Sequence, residues 1–196
     1  MVARGRPREF DPEEALDRAL QLFWRKGYEG TSLSDLTEAM GITRPSLYAA
    51  FGNKEDLFRR AVDRYAEGPA AYFREALAAP TARAVSERLL GGAADLGGEQ
   101  CHPPGCLLVN GALSCGDAAE VARRELLSRR AAGEAAIRRR LERAQAEGDL
   151  PATADSAALA RYIAALVYGM AVLASGGATR EDLQRVAEIG LQAWPS

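Results

Sequence analysis

The chain has 196 residues, of which 47% are hydrophobic, so it is long enough for one small unit and a second core of roughly a hundred residues. Its net charge of −2 argues against a protein wrapped in nucleic acid, so contact with a polyanion must come from a local patch. No apolar run reaches the roughly 20 residues that cross a membrane, no signal-peptide pattern is present, and three cysteines make no disulfide framework, so we expect a cytoplasmic protein with no membrane association.

The N-terminal arm carries a local positive charge. Residues 1–8 contain Arg4, Arg6 and Arg8 and no acidic residue. Arg4 and Arg6 flank Gly5, and arginines in such arms favour the narrow minor groove of A·T-rich DNA. The arm therefore predicts a minor-groove contact, and the alternative is a disordered soluble tail.

Helical periodicity runs through the rest of the chain, without the alternating runs that strands require, which predicts an all-α fold of about nine helices. Gly68-Pro69 is expected to kink or break the fourth of these helices, with helical pattern resuming through Leu77. The predicted helices are 12–26, about 33–40, 44–51, 54 to about 77, 82–96, 106–113, 117–147, about 156–175 and about 180–194.

Two of the short helices form a helix-turn-helix pattern around Gly41. Glycine suits the left-handed backbone of a sharp turn, and five apolar side chains can pack the pair against the first helix: Leu36, Met40, Ile42, Leu47 and Phe51.

The side chains left facing outward at the start of the second short helix are Thr43, Arg44, Pro45, Ser46 and Tyr48. Such a helix end enters the major groove, where Arg44 could bond guanine in bidentate fashion, while Thr43, Tyr48 and Lys54 suit phosphate oxygens. The alternative is an ordinary helical hairpin with exposed polar residues.

The run GYEGTSLSDLTEAMGITRPSLYAAFGNKEDLF resembles the DNA-binding domain of TetR-family repressors over about residues 10–62. The signatures G-T-S-x-x-D-L and S-L-Y-x-x-F-x-N-K-E-x-L-F occur at the separation typical of that family. The resemblance implies an N-terminal arm and three-helix reader over 1–53, and a C-terminal helical bundle for dimerisation and effector binding over 54–196. It also implies that Thr31 or Ser32, together with Lys54, contacts the DNA backbone, and that the chain is a ligand-responsive repressor of a near-palindromic operator.

The last two predicted helices are unusually apolar, and more than one face of the first of them carries large side chains. This pattern predicts a two-fold four-helix interface in a homodimer, and the alternative is burial inside a monomer core. The expected interface residues are Leu159, Ile163, Leu166, Val167, Val186, Gly190, Leu191 and Trp194.

Large side chains in the C-terminal region exceed what one thin bundle layer needs, which predicts an effector pocket. Few charges fall at inward positions, so we expect a small apolar or aromatic ligand, and the alternative is a solid core. The candidate pocket residues are Tyr65, Tyr72, Phe73, Leu107, Asn110, Leu126, Ile137, Tyr162 and Met170.

A loose cluster of metal-ligating residue types contains Cys101, His102, Cys106 and Cys115. The spacing C-H-x₃-C-x₈-C is poor for zinc, and no second pair follows, so we expect no metal and no cofactor. Cys106 lies at the expected start of a helix, where the dipole would lower its thiol pKa, and a redox or electrophile sensor there is the alternative to the effector pocket. The simplest interpretation makes Cys106 and Cys115 small buried hydrophobes.

Enzymatic function is not expected, because the chain has one histidine, no nucleophile motif, no glycine-rich phosphate loop and no clustered carboxylates in an apolar setting. An all-helical adaptor could use the two apolar C-terminal helices, but would have no need of Arg44, Tyr48 and Lys54 around a hairpin turned at glycine.

Overall fold

The computed structural model describes residues 10–99, 101–113 and 119–195. These residues form ten helices and no strand, which confirms the all-α prediction. The helices are α1 Pro12–Lys26, α2 Leu33–Met40, α3 Arg44–Phe51, α4 Lys54–Glu67, α5 Ala71–Leu77, α6 Ala82–Gly98, α7 Leu107–Leu113, α8 Glu120–Ala146, α9 Ser156–Ser175 and α10 Arg180–Gln192.

Helix starts follow the capping residues in the sequence. The side chain of Asp11 accepts the Glu13 N–H at 2.9 Å, and Asn53 accepts the Asp56 N–H at 2.9 Å. Each contact satisfies a backbone donor that the first helical turn leaves unpaired, so the N-terminal helices begin where the sequence predicts.

The segment after Gly68 differs from the prediction of nine helices. Helix α4 ends at Glu67, and residues 71–77 form the separate helix α5, which packs on α6. Pro69 has no N–H to donate and disfavours helical backbone at the residue before it, so the chain breaks here rather than kinks.

Two clusters of buried side chains make up the core. The first joins α1–α4 to residues of the C-terminal region, among them Leu107 and Leu126. Phe23 of α1 meets Phe58 of α4 edge-on, with ring centroids 5.1 Å apart. The second cluster is built from α5, α6, α8, α9 and α10. Helix α4 is therefore packed into the N-terminal unit, while the predicted division at residues 53 and 54 stays a prediction.

Helix α9 bears on the expectation that no apolar run is long enough to cross a membrane. Among the described helices it is the one that is long and apolar enough to cross a membrane, since a stretch of 18 residues within Ser156–Ser175 has a mean hydropathy of 1.7. It packs against α6, α8 and α10, and 33% of that stretch is buried within the single chain. Other apolar side chains of α9 are partly buried, and Val172 and Leu173 are exposed in one protomer.

Candidate nucleic-acid interface

Helices α2 and α3 are joined by a tight turn at Gly41. Its φ of 67° and ψ of 31° lie in the left-handed region, which only glycine occupies without strain. The Gly41 N–H donates to the Glu38 carbonyl at 3.1 Å, and the Ile42 N–H donates to the Thr37 carbonyl at 3.1 Å. The turn therefore satisfies the end of α2 and fixes the direction of α3.

Apolar packing sets which face of α3 is presented to the outside. Leu36, Met40, Leu47 and Phe51 are buried and Ile42 is partly buried, as predicted from their spacing. Thr43, Arg44 and Pro45 are exposed, Ser46 is partly exposed, and the side chain of Tyr48 is 49% exposed. The first turn of α3 thus offers a hydroxyl, a guanidinium and a phenol on one surface.

Arg44 is held in place by a serine that the sequence does not single out. Its Nη2 donates to the Ser34 hydroxyl at 2.8 Å, across the turn from α2. The Thr43 hydroxyl accepts the Ser46 N–H at 3.3 Å and lies 2.9 Å from the Ser46 hydroxyl. These bonds order the polar end of α3 before any ligand arrives.

The structure separates the two candidates for backbone contact before α2. Thr31 is fully buried and its hydroxyl donates to the Gly27 carbonyl at 2.7 Å, so this side chain is not presented to a ligand. Ser32 is exposed and caps α2 in a reciprocal pair with Asp35. Hydrogen bonds from Ser32, together with Lys26, lower the pKa of Asp35 to about 2. Of the pair, Ser32 is the one whose side chain is exposed at the surface.

Lys54, at the start of α4, is partly buried rather than free on the surface. Its Nζ lies 4.2 Å from the centroid of the Tyr28 ring, and burial lowers its pKa against the opposing effect of Glu29 and Asp35. The tyrosine face keeps the ammonium close to the N-terminus of α4. Arg4 and Arg6 of the predicted arm lie outside the described residues.

Ion pairs connect this unit to the C-terminal region through α4. Arg64 donates to both carboxylate oxygens of Asp17 on α1, at 2.7 and 2.9 Å, and to Glu13 at 3.1 Å. On the other side of α4, Asp63 accepts from Arg129 of α8 at 2.6 Å. Helix α4 therefore links the DNA-facing helices to α8.

The candidate effector residues do not form one group. Tyr65 and Tyr72 meet at Cys106, with the Tyr65 hydroxyl 3.1 Å from Sγ of Cys106, and burial raises the pKa of both tyrosines. The void beside Tyr72 and Cys106 measures about 10 Å³, which is at most one water. Among the described residues, the space between Tyr72 and Cys106 is therefore too small for a ligand.

Of the remaining pocket candidates, Leu107 and Leu126 share the first core cluster with Tyr65, and the others lie outside that cluster. Tyr162 donates to the Gly190 carbonyl at 2.9 Å, between α9 and α10. Asn110 donates to the Ser175 hydroxyl at 2.8 Å and lines a separate surface cleft of about 260 Å³. Leu107 and Leu126 are buried in the first core cluster, whereas Ile137 and Met170 are buried in the second with Phe73 packed against it.

The predicted lowering of the Cys106 pKa is wrong in direction. Burial raises the pKa of this thiol, and the opposing contributions of Tyr65, of the Val109 and Leu108 backbone and of Arg130 do not overcome it. A thiolate loses more by leaving water than it gains at the end of a helix of one or two turns. Cys115 lies outside the described residues.

The expected dimer residues divide into an inner and an outer set. Ile163 is fully buried, Val167 is 9% exposed, and Gly190 is buried where α10 crosses α9. A Cβ on Gly190 would lie 2.5 Å from Leu166, so this glycine serves packing within the chain. The half-buried members are Leu159, Leu166, Val186, Leu191 and Trp194.

An apolar face on α9 and α10 remains open and was only partly foreseen. Val172 and Leu173 are each 48% exposed, and Ile189 is 67% exposed. Ala165 and Gly169 are exposed on α9 as well, and a Cβ on Gly169 would meet nothing within 4 Å. The predicted interface residues do not include Val172, Leu173 or Ile189, although the apolar periodicity of α9 extends to the first two.

Comparison with known proteins agrees with this geometry. A family model described as "Bacterial regulatory proteins, tetR family" matches residues 15–61, and "Tetracyclin repressor-like, C-terminal domain" matches residues 83–189. The HTH-type transcriptional repressor ComR of Escherichia coli K12 is 38% identical over 197 residues, covering 98% of this chain and 93% of ComR.

Solved structures give the same result. A variant of the TetR-family regulator CifR with replaced cysteines, in complex with a 26 bp operator DNA, superposes with a TM-score of 0.93 and 43% identity, covering 97% of this chain and all of that one. A TetR regulator from Rhodococcus sp. RHA1 is 41% identical with a TM-score of 0.62, over 94% of this chain and all of that one. This chain belongs to the TetR family of DNA-binding transcriptional regulators, which are transcription factors and not enzymes.

Proposed function

We propose that the protein is a cytoplasmic transcriptional repressor that binds a near-palindromic operator as a homodimer, with the first turn of α3 in the major groove. The observation that carries this proposal is the exposed Arg44, oriented by Ser34 at the end of a helix whose opposite face is buried. An arginine so placed can bond the O6 and N7 atoms of guanine. Thr43, Ser46 and Tyr48 add hydroxyls that suit phosphate oxygens.

Selection of bound duplexes from random oligonucleotides by the full-length protein tests this function. The selected sites are expected to show two inverted half-sites centred about one helical turn apart or a multiple of it, with two protomers or a multiple of two bound per site. Binding should fall steeply with salt, because phosphate contacts release counterions. Selection of no sequence above the input library would overturn the proposal.

Dimerisation through α9 and α10 is the second part of the proposal. The open face at Val172, Leu173 and Ile189 is supported as the contact by its apolar character and by the small residues Ala165 and Gly169 beside it. Small side chains let two helices approach closely, and a two-fold axis brings the same face of each protomer together. The partner copy would cover the part of α9 that one chain leaves exposed.

Release by a small apolar or aromatic effector is the third part. The contact between Tyr65 and Cys106, with Tyr72 alongside, supports this site because it lies on α4 at the junction with the C-terminal helices. The void of about 10 Å³ is too small for a ligand, so binding would require α4 or α5 to move. Through the Arg64–Asp17 pair such a movement would shift α1 and alter the spacing of the two reading heads.

A thiol-based response at Cys106 is the second candidate function. It is favoured by the position of the thiol in contact with Tyr65 of α4, where modification would displace the same helix. The raised pKa of Cys106 works against it, because the thiolate is the reactive form.

A further inference from the structure

A second group of polar side chains lies away from the DNA-facing surface, in the segment between α6 and α7. Glu99, Cys101 and His102 each offer one ligand atom, and these three atoms all lie within 4.8 Å of one another. Cys101 Sγ is 3.5 Å from Glu99 Oε2, and His102 Nε2 is 3.6 Å from the same oxygen. The function proposed above does not use these residues.

Two of the three separations within this group, both measured from the Glu99 carboxylate, match those of a tetrahedral zinc centre. With Zn–S near 2.3 Å and Zn–O and Zn–N near 2.0 Å, tetrahedral angles place sulfur and oxygen about 3.5 Å apart, and nitrogen and oxygen about 3.3 Å apart. The observed values of 3.5 and 3.6 Å need little adjustment to accept an ion. One thiolate, one imidazole and one carboxylate are a borderline donor set, which favours Zn²⁺ over the harder Mg²⁺ and Ca²⁺.

His102 is already oriented for such a role. Its ring stacks on Trp24 of α1, with centroids 5.4 Å apart and an angle of 18° between the planes. Its Nδ1 lies 3.5 Å from the side-chain amide of Gln21, also on α1. With a metal on Nε2, Nδ1 carries the proton, and the amide oxygen of Gln21 can accept it after a flip of the amide.

The backbone after His102 is anchored. Pro103 is buried, and Gly105 takes a φ of 85° in a space where a Cβ would lie 2.3 Å from the Ser175 hydroxyl and 2.8 Å from the Ala171 carbonyl. This packing against α9 limits the movement of the loop, so the cost of ordering the ligands is reduced.

We propose that Glu99, Cys101 and His102 form a Zn²⁺ site that leaves one coordination position open to water or an external ligand. The spacing of cysteines and histidine gave no such expectation, because it did not include a carboxylate from the preceding turn. Because the His102 ring stacks on Trp24 of α1, an ion bound to His102 would be linked to the first helix of the DNA-binding unit through one ring contact. The site stands independently of the effector proposal.

The test uses the full-length, tag-free protein carrying Cys106→Ser and Cys115→Ser, so that Cys101 is its one thiol. After reduction and removal of metal, titration with Co²⁺ is expected to produce a thiolate-to-cobalt absorption band that saturates at one ion per protomer, and Zn²⁺ is expected to abolish it. Adding Cys101→Ser should remove the band, while Glu99→Gln and His102→Gln should each weaken affinity at least tenfold. Cobalt serves as a coloured substitute for zinc with similar geometry.

Fluorescence of Trp24 gives a second readout, which a metal ion bound nonspecifically to a thiol would not change. Adding Trp194→Phe leaves Trp24 as the one indole, and Zn²⁺ should shift or quench its emission with the same midpoint as the cobalt titration. Far-ultraviolet circular dichroism checks that each variant is folded. If His102→Gln does not fold, Glu99→Gln still tests the site, because Glu99 is exposed. No saturable band, affinity unchanged in both Glu99→Gln and His102→Gln, or unaltered Trp24 emission at saturating Zn²⁺ would each overturn the site.

Discussion

Arg44 Nη2 donates a hydrogen bond of 2.8 Å to the hydroxyl of Ser34, joining the first turn of α3 to α2 across the Gly41 turn. Both side chains are exposed, so the bond orders a guanidinium at the surface instead of burying it. A side chain held near its bound position loses less conformational entropy when it meets DNA. Recognition of a base by Arg44 of α3 therefore depends on α2 as well, through Ser34.

Replacing Arg44 tests the placement of the reading helix. Arg44→Ala is expected to cost about 1–3 kcal/mol on the best operator and to relax preference at one base position in each half-site. Lys54→Ala is the matched control, because loss of a phosphate contact weakens all sequences alike and lowers the salt dependence. Quantitative gel shifts on a panel of single-base operator variants provide the measurement.

Ser34→Ala separates the orientation of the Arg44 side chain from its contact with the base. It leaves the guanidinium in place but removes its support, so affinity should fall by about 1 kcal/mol or less while base preference is retained. Unchanged affinity and unchanged base preference in Arg44→Ala would show that α3 does not read the operator through this residue.

The open apolar face predicts a specific effect on assembly. Ile189→Glu and Ala165→Glu put a charge into a desolvated contact, and two-fold symmetry doubles the cost, so the dimer should weaken at least tenfold, or about 1.4 kcal/mol. Leu127→Glu is the control, since Leu127 is 40% exposed and belongs to α8 rather than to α9 or α10. Sedimentation equilibrium decides the matter, and an unmodified chain that is monomeric at micromolar concentration would refute the interface.

Cys106→Ser distinguishes the two mechanisms of release. If a ligand enters beside Tyr65 and Tyr72, apolar and aromatic compounds should release operator DNA from the wild type and from the serine variant to the same extent. If the thiol is the sensor, oxidants or electrophiles alone should act, and the variant should not respond. The measurement is operator release in a fluorescence anisotropy assay, with Cys115→Ser as the matched control because it removes a thiol that neither proposed site uses.

The cap of α2 predicts a pH dependence of stability. The pKa of Asp35 is about 2 in the folded chain, below its ordinary value of 3.8, so its stabilising effect is present above pH 4 and is lost as pH falls towards 2. Asp35→Ala should lower the urea midpoint at pH 6, and the difference from wild type should shrink as pH falls from 5 to 2. Glu38→Ala, on the same helix, is the control expected to lack this change. A difference that stays constant across the range would contradict the assignment.

The reader unit could be predicted because its signals are local. Gly41 takes the left-handed backbone that its position in the pattern indicated, and Ser32, Thr43 and Asn53 cap helices within three residues of themselves. Leu36, Leu47 and Phe51 are buried because their spacing places them on the inner faces of two short helices. Such contacts depend on a few neighbouring residues, so a single sequence contains the information.

Properties that depend on which distant helix covers a residue were settled by tertiary packing. Periodicity showed that α9 is apolar on more than one side, yet only the position of α6 made Ile163 and Val167 the inner side and left Val172 open. The end of a helix predicts a lowered pKa at Cys106, but burial of the thiol raises its pKa instead and reverses the sign. Helix ends and turns are determined by the chain's own neighbours, whereas burial, pKa and the stacking of His102 on Trp24 of α1 are determined by packing between segments that the sequence alone does not bring together.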